Sequence, residues 1–309
     1  MKHTRIKIIY PLLGLFILVG FWVLFQQSAS LRQSLSALRQ ADVKWVVFGF
    51  LAAIGTFISA SFTLKTLALK KLSYKNTLIV QLASGAATKV VPSGIGGLVL
   101  NIRYLQRQQH SLVQAASVMM VNNGLGFLGH ILIISNVFFL SLSSPIIFSV
   151  KLPVWTILAA VCFIFLLVIG AVMVKSLRQK IHKTTKEIKR AFTWYRHRPY
   201  KLLAGLFGAS SVTFLFAMCL WCSAQAMSVD LTLIEVLIVL SVGLFGIAIT
   251  PTPGGIGGAE AAITGALMTL GETFTIALSV ALIYRLLTYW TPVIPGIFAV
   301  QYSLRRKII

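Results

Sequence analysis

The chain has 309 residues, of which 57% are hydrophobic and only 11% charged, with a mean hydropathy of +0.88. A soluble domain carries roughly a quarter charged residues, so this composition excludes a water-soluble globule and leaves a multi-pass membrane protein. The net charge of +22 does not point to nucleic acid, because the 28 Lys and Arg cluster between apolar runs, the placement expected beside an anionic leaflet.

Lys2, Arg5 and Lys7 precede an apolar run over residues 8–25. That run is long enough to span, and no small-residue cleavage site follows it, so it reads as a retained first helix with a cytoplasmic N-terminus. The connector over 26–43 spaces Leu31, Leu35 and Leu38 as a short interfacial helix would. A span over 45–64 then returns to a basic turn with Lys65, Lys70, Lys71 and Lys75.

Residues 77–91 are short for a full crossing and end at Pro92-Ser93-Gly94-Ile95-Gly96-Gly97. A second short helix over 98–109 bears Arg103 and Arg107. Two half-length helices around a Pro/Gly break, basic at both outer ends, read as a re-entrant hairpin from the cytoplasmic side. A long helix over 111–142 follows, polar in its middle at Asn122, Asn123 and His130, and then a span over 153–174. Residues 175–201 hold ten Lys and Arg against Glu187 alone, and form the main cytoplasmic loop.

A span over 202–224 crosses outward, with Asp230 and Glu235 beyond it. The helix over 231–250 leads into Pro253-Gly254-Gly255-Ile256-Gly257-Gly258, which repeats the first phrase at five of six positions, 161 residues later. With the short helix over 260–270 it reads as a second re-entrant hairpin, entered from outside. The last helix covers 274–304 with an interruption near Pro292 and Pro295, and Arg305, Arg306 and Lys307 hold the C-terminus inside. Twenty of the 28 basic residues then lie in segments assigned to the cytoplasm. The expected fold is all-α: one integral membrane domain over 1–309, with about six to eight transmembrane helices. It is an inverted repeat, with halves over about 45–174 and 202–304 joined by the basic loop.

In lipid, a Pro/Gly break survives only where it is buried in protein or lines a cavity, and paired breaks in two halves mark a binding site between them. The glycine phrases (Pro92, Gly94, Gly96 and Gly97; Pro253, Gly254, Gly255, Gly257 and Gly258) open half-helices whose N-termini aim free N–H groups inward. Glu260 is either a helix-start carboxylate favoured by the dipole or a functional intramembrane acid. Arg285 sits mid-helix in an apolar run and needs a partner, either Glu260 or the phosphate of a lipid. Lys89 either snorkels to the interface or faces the site, and Arg103 is either a hairpin anchor or a headgroup contact. Asn122, Asn123 and His130 read as inter-helix hydrogen-bonding groups, and His110 as a solvated loop residue. Cys162, Cys219 and Cys222 all fall in apolar stretches. The single C-x-x-C of Cys219 and Cys222 reads as small core residues at helical spacing. No nucleotide P-loop, catalytic set, metal site or cofactor motif is found.

The stretch Pro251-Thr252-Pro253-Gly254-Gly255-Ile256-Gly257-Gly258-Ala259-Glu260, with Tyr284-Arg285-Leu286-Leu287-Thr288-Tyr289-Trp290 and Pro292, resembles the lysylphosphatidylglycerol synthase transmembrane (flippase-like) family. The resemblance runs from about Trp45 to the C-terminus. It places Tyr289 with the site residues, and it implies a translocating region without the soluble aminoacyl-transferase domain, for which a chain ending at Ile309 leaves no room. Where family members often carry a Glu after the first motif's glycine, this chain has Gly97 and Leu98. The expectation is a non-enzymatic translocase of a prokaryotic cytoplasmic membrane, carrying an anionic phospholipid or polyprenyl-linked lipid and using no nucleic acid. The alternative is an accessory subunit bound to a membrane partner such as a glycosyltransferase or lipid-modifying enzyme.

Overall fold

The computed structural model describes residues 36, 38–90, 95–141, 193–250 and 252–309. The expected helix over 8–25, the span over 153–174, most of the basic loop, and Pro92, Ser93, Gly94 and Pro251 lie outside the described residues.

Among the described residues the chain is helical, without strands. After a 3-10 turn at Leu38–Gln40 come α1 (Val43–Leu67), α2 (Tyr74–Val90), α3 (Ile95–Arg107), α4 (Leu112–Ser141), α5 (Pro199–Gln225), α6 (Leu233–Ile249), α7 (Gly258–Thr269), α8 (Phe274–Arg285) and α9 (Thr291–Arg305). Among the described residues, four stretches are long and apolar enough to cross a membrane: Val43–Leu67, Leu112–Ile133, Pro199–Gln225 and Phe274–Arg305. The helices beside the two glycine phrases are shorter: α2 and α3 have 17 and 13 residues, α6 and α7 have 17 and 12. At 1.5 Å per residue even the longer ones reach only about 25 Å, less than the roughly 30 Å of hydrocarbon. The protein is an all-α, multi-pass membrane protein.

The chain divides into two compact units. The first comprises Met1–Gly55, Gly85–Gly96 and Leu215–Ile297, as far as these residues are described. Here Trp45 meets Trp221 edge-on at 5.1 Å, and Trp45 and Val46 cover buried Ala226, Ile283 and Leu287. Cys219 and Cys222 are buried free thiols, and Cys219 Sγ donates to the Gly49 carbonyl at 3.4 Å. Thr232 and Glu235 cap the start of α6 reciprocally, satisfying two backbone donors that a helix start leaves open. Near its other end Gly246 lets α7 approach: a Cβ there would lie 2.6 Å from both Ala262 Cβ and the Gly258 carbonyl. Small residues at such contacts allow helices to pack in lipid, where no hydrophobic drive pushes them together. In turn α7 packs on α8.

The second unit comprises Thr56–Ser84, Gly97–Phe214 and Phe298–Ile309, again as far as described. Its core gathers Leu64, Leu67, Val80, Tyr104, Leu105 and Val118. Its tyrosine hydroxyls are hydrogen-bonded, as a low-dielectric interior favours: Tyr195 Oη donates to the Leu67 carbonyl at 2.6 Å, and Thr77 Oγ1 pairs with Tyr104 Oη at 3.0 Å. His110 differs from the solvated loop residue expected. It is buried, its Nδ1 bonds the Leu105 carbonyl at 3.0 Å, and its Nε2 accepts from the Lys70 N–H at 3.2 Å, so it staples two turns together.

The last long helix holds a second departure from expectation. Its interruption is a π-turn over Leu286–Trp290, immediately after Arg285 and ending two residues before Pro292. Proline cannot donate to the preceding turn, and a wide turn is a common way for a helix to absorb that loss.

Candidate functional site

The second glycine phrase is a sharp break built on left-handed backbone. Gly254, Gly255 and Gly257 have φ of 59°, 67° and 87°. At Gly254 the requirement for glycine is double, since a Cβ would also run into the ring of Tyr289. After the break α7 begins at Gly258, and Glu260 lies in its first turn. Its Oε2 accepts from the Gly257 N–H at 2.8 Å, closing one of the open donors of the helix start.

The other oxygen, Oε1, accepts from Arg285 Nε at 2.8 Å. Arg285 is only 4% exposed, and its Nη2 donates to the Gly254 carbonyl at 2.9 Å. Its guanidinium lies over the ring of Tyr289, 4.4 Å from the centroid. The i, i+4 spacing of Arg285 and Tyr289 brings both to one face of the helix. Tyr289 Oη then donates to the Lys89 carbonyl at the end of α2, at 3.3 Å. One buried cation thus ties together the break, the cap of α7 and the π-turn. Among the described residues this is the one salt bridge, as the cost of a buried charge requires for an arginine within a span.

Beside it opens a cavity of about 590 Å³, of a size to take a drug-sized or headgroup-sized ligand. Lys89, Arg285 and Tyr289 line it together with apolar Phe216, Leu244 and Ile247. Gly254 and Gly255 form part of the wall, and no carboxylate does.

The residues singled out in the sequence therefore separate. Lys89, Gly254, Gly255, Arg285 and Tyr289 line one cavity, and Glu260 and Gly257 stand directly behind Arg285. Gly258 packs against Thr250 at the end of α6, and Pro253 begins the short 3-10 turn of the break. Arg103 is exposed on α3 and does not line the cavity. Gly96 and Gly97 belong to the first turn of α3, where the Gly97 carbonyl accepts from Asn101 Nδ2 at 3.0 Å. Pro92 and Gly94 lie outside the described residues. Asn122 bonds its neighbour Asn123 at 3.4 Å, and neither lines the cavity. Sequence reading missed the second acceptor of Arg285, the Gly254 carbonyl, and the hydroxyl contact of Tyr289. Only the 285/289 spacing gave a signal for the latter.

The model of the family described as lysylphosphatidylglycerol synthase TM region matches residues 11–296. The chain belongs to that family. No curated protein matches it. Both glycine phrases, Glu260, Arg285 and the π-turn fall inside the part matched to the lysylphosphatidylglycerol synthase TM region.

Proposed function

We propose that this protein is a lipid translocase of a prokaryotic cytoplasmic membrane. It moves an anionic phospholipid or polyprenyl-linked lipid between leaflets, with both chain ends on the cytoplasmic side. The observation that carries this reading is the cavity with apolar walls that presents Arg285 and Lys89 inside a chain of apolar helices. An apolar wall suits acyl or prenyl chains, and two cations suit a phosphate. Glu260 holds Arg285 in place while no anion is bound. The second break, whose Gly254 and Gly255 line the cavity, is the kind of helix interruption that transporters use near the midplane, and rocking of the two repeats alternates access to the site. No acid–base or nucleophilic set is needed for such a task.

The test is lipid scrambling or flipping in proteoliposomes containing the full chain. Arg285→Ala and Glu260→Gln are each expected to abolish movement while the protein still inserts. Unchanged transport in both removes the mechanism. Stable co-purification of a membrane enzyme, with no transport by the isolated chain, moves the reading to an accessory subunit.

A further inference from the structure

Resting on the reading of the cavity as a lipid site, we infer that it selects a phosphate head without an ammonium, and that it discriminates against aminoacylated lipids.

Arg285 carries five N–H donors, and two are committed, Nε to Glu260 Oε1 and Nη2 to the Gly254 carbonyl. Three remain. Lys89 adds an ammonium with three donors, and among the described residues no carboxylate pairs with it. The wall therefore offers up to six charged donors to a ligand.

Acceptors are a different matter. The Gly254 carbonyl is taken by Arg285, the Lys89 carbonyl by Tyr289, and the Gly246 carbonyl by Thr250 at 2.6 Å. The hydroxyls in the wall are spent inward as well: Thr252 donates to the Ile256 carbonyl at 2.8 Å and Thr288 to the Tyr284 carbonyl at 2.7 Å. They keep neutral lone pairs, but none carries charge. Glu260 divides its two oxygens between Arg285 and the Gly257 N–H, behind the wall. The carbonyls of Gly254 and Lys89 are thus already engaged by the protein's own donors, and the acceptors that remain in the wall, the carbonyls at the end of α6 among them, are neutral.

With two cations and one carboxylate, the site has a formal charge of +1. A phosphate diester brings one negative charge and neutralises it. A lysyl ester of the same lipid brings two ammonium groups, which meet Lys89 and Arg285 with no anionic acceptor left to receive them. Repulsion of like charges in a partly desolvated pocket is a strong means of rejecting a wrong partner. This selectivity runs against the lipid in the family's description, and follows from this chain's own residues.

The experiment compares two lipids that differ only in the lysyl group, phosphatidylglycerol and lysyl-phosphatidylglycerol, added to the purified full chain in detergent. Binding is read by native mass spectrometry. Phosphatidylglycerol is expected to bind at least about tenfold more tightly. Lys89→Glu should bring the two within about threefold, and Lys89→Met should leave an intermediate gap. If lysyl-phosphatidylglycerol binds the unaltered protein as tightly as phosphatidylglycerol, or more tightly, the selectivity is overturned while the lipid site stands. If neither lipid binds, the lipid site itself falls and takes the selectivity with it.

Discussion

The two broken hairpins share a plan and differ in chemistry. Each pairs a 17-residue helix with one of 12 or 13 residues across a glycine phrase. In the first, the buried polar contacts are neutral: Gln81 Nε2 donates to Asn101 Oδ1 at 3.1 Å, and Thr77 meets Tyr104. In the second, the helix start carries the carboxylate that holds Arg285. At the 161-residue offset, Glu260 corresponds to Val99, which is exposed, and buried Thr264 corresponds to exposed Arg103. A shared glycine phrase therefore does not bring shared chemistry. What each break does is decided by the residues around it: the second sets the carboxylate that holds Arg285, while the first hairpin brings Lys89, at the end of α2, to the cavity.

Breaking that asymmetry should give effects of graded size. The largest is expected from Arg285→Ala, which strands Glu260 and frees the Gly254 carbonyl in a buried place. A loss of about 3–5 kcal/mol is expected for one partner of a buried ion pair. Asn101→Ala in the first hairpin removes only neutral bonds and should cost about 1–2 kcal/mol. Thermal unfolding of the detergent-purified variants checks the difference, and equal losses would erase the distinction between the hairpins.

A second comparison exchanges one letter of the phrases. The first copy has Ser93 where the second has Gly254. Gly254→Ser forces a side chain onto left-handed backbone and into Tyr289, and should cost about 1–3 kcal/mol. Ser93→Gly should change stability by about 1 kcal/mol or less. The same unfolding assay reads both.

The smallest effect concerns His110, on the first hairpin's side of the comparison. Burial is the main cause pushing its imidazole below the ordinary 6.5; the Lys70 charge adds to it, against carbonyl bonds that pull the other way. The folded state therefore favours the neutral ring, whose Nε2 accepts from the Lys70 N–H. The stability it gives is complete above 6.5 and is lost as pH falls below that value. Unfolding midpoints measured from pH 8 down to pH 5 should show the unaltered protein losing its advantage over His110→Gln. A difference that is constant with pH would mean the ring does not titrate between the folded and unfolded states.

Much of this was legible in the residues. Composition alone marks the membrane class, and the short helices beside each phrase follow from the length of their apolar runs. Glu260 and Arg285 could be matched because so few acids occur in the chain and a mid-span arginine needs a counter-charge. The outward direction of Arg103 was also within reach: Asn101, Tyr104 and Leu105 form one buried stripe at helical spacing, and Arg103 lies off it. The rest depends on contacts that no local pattern encodes. A π-turn changes hydrogen-bond register without requiring a particular residue, so Pro292 hints at trouble but does not say which kind. His110 is buried by turns forty residues apart, and its surroundings exist only after folding.

Glu260 leaves a last consequence. One of its oxygens is tethered to the backbone of its own helix, independent of the guanidinium. An incoming anion that drew Arg285 away would leave this carboxylate still anchored rather than abandoned, so the exchange trades one charged bond for another of similar strength. For the carrier proposed above, such a swap would let the buried arginine pass to its cargo and back without leaving a carboxylate unanchored.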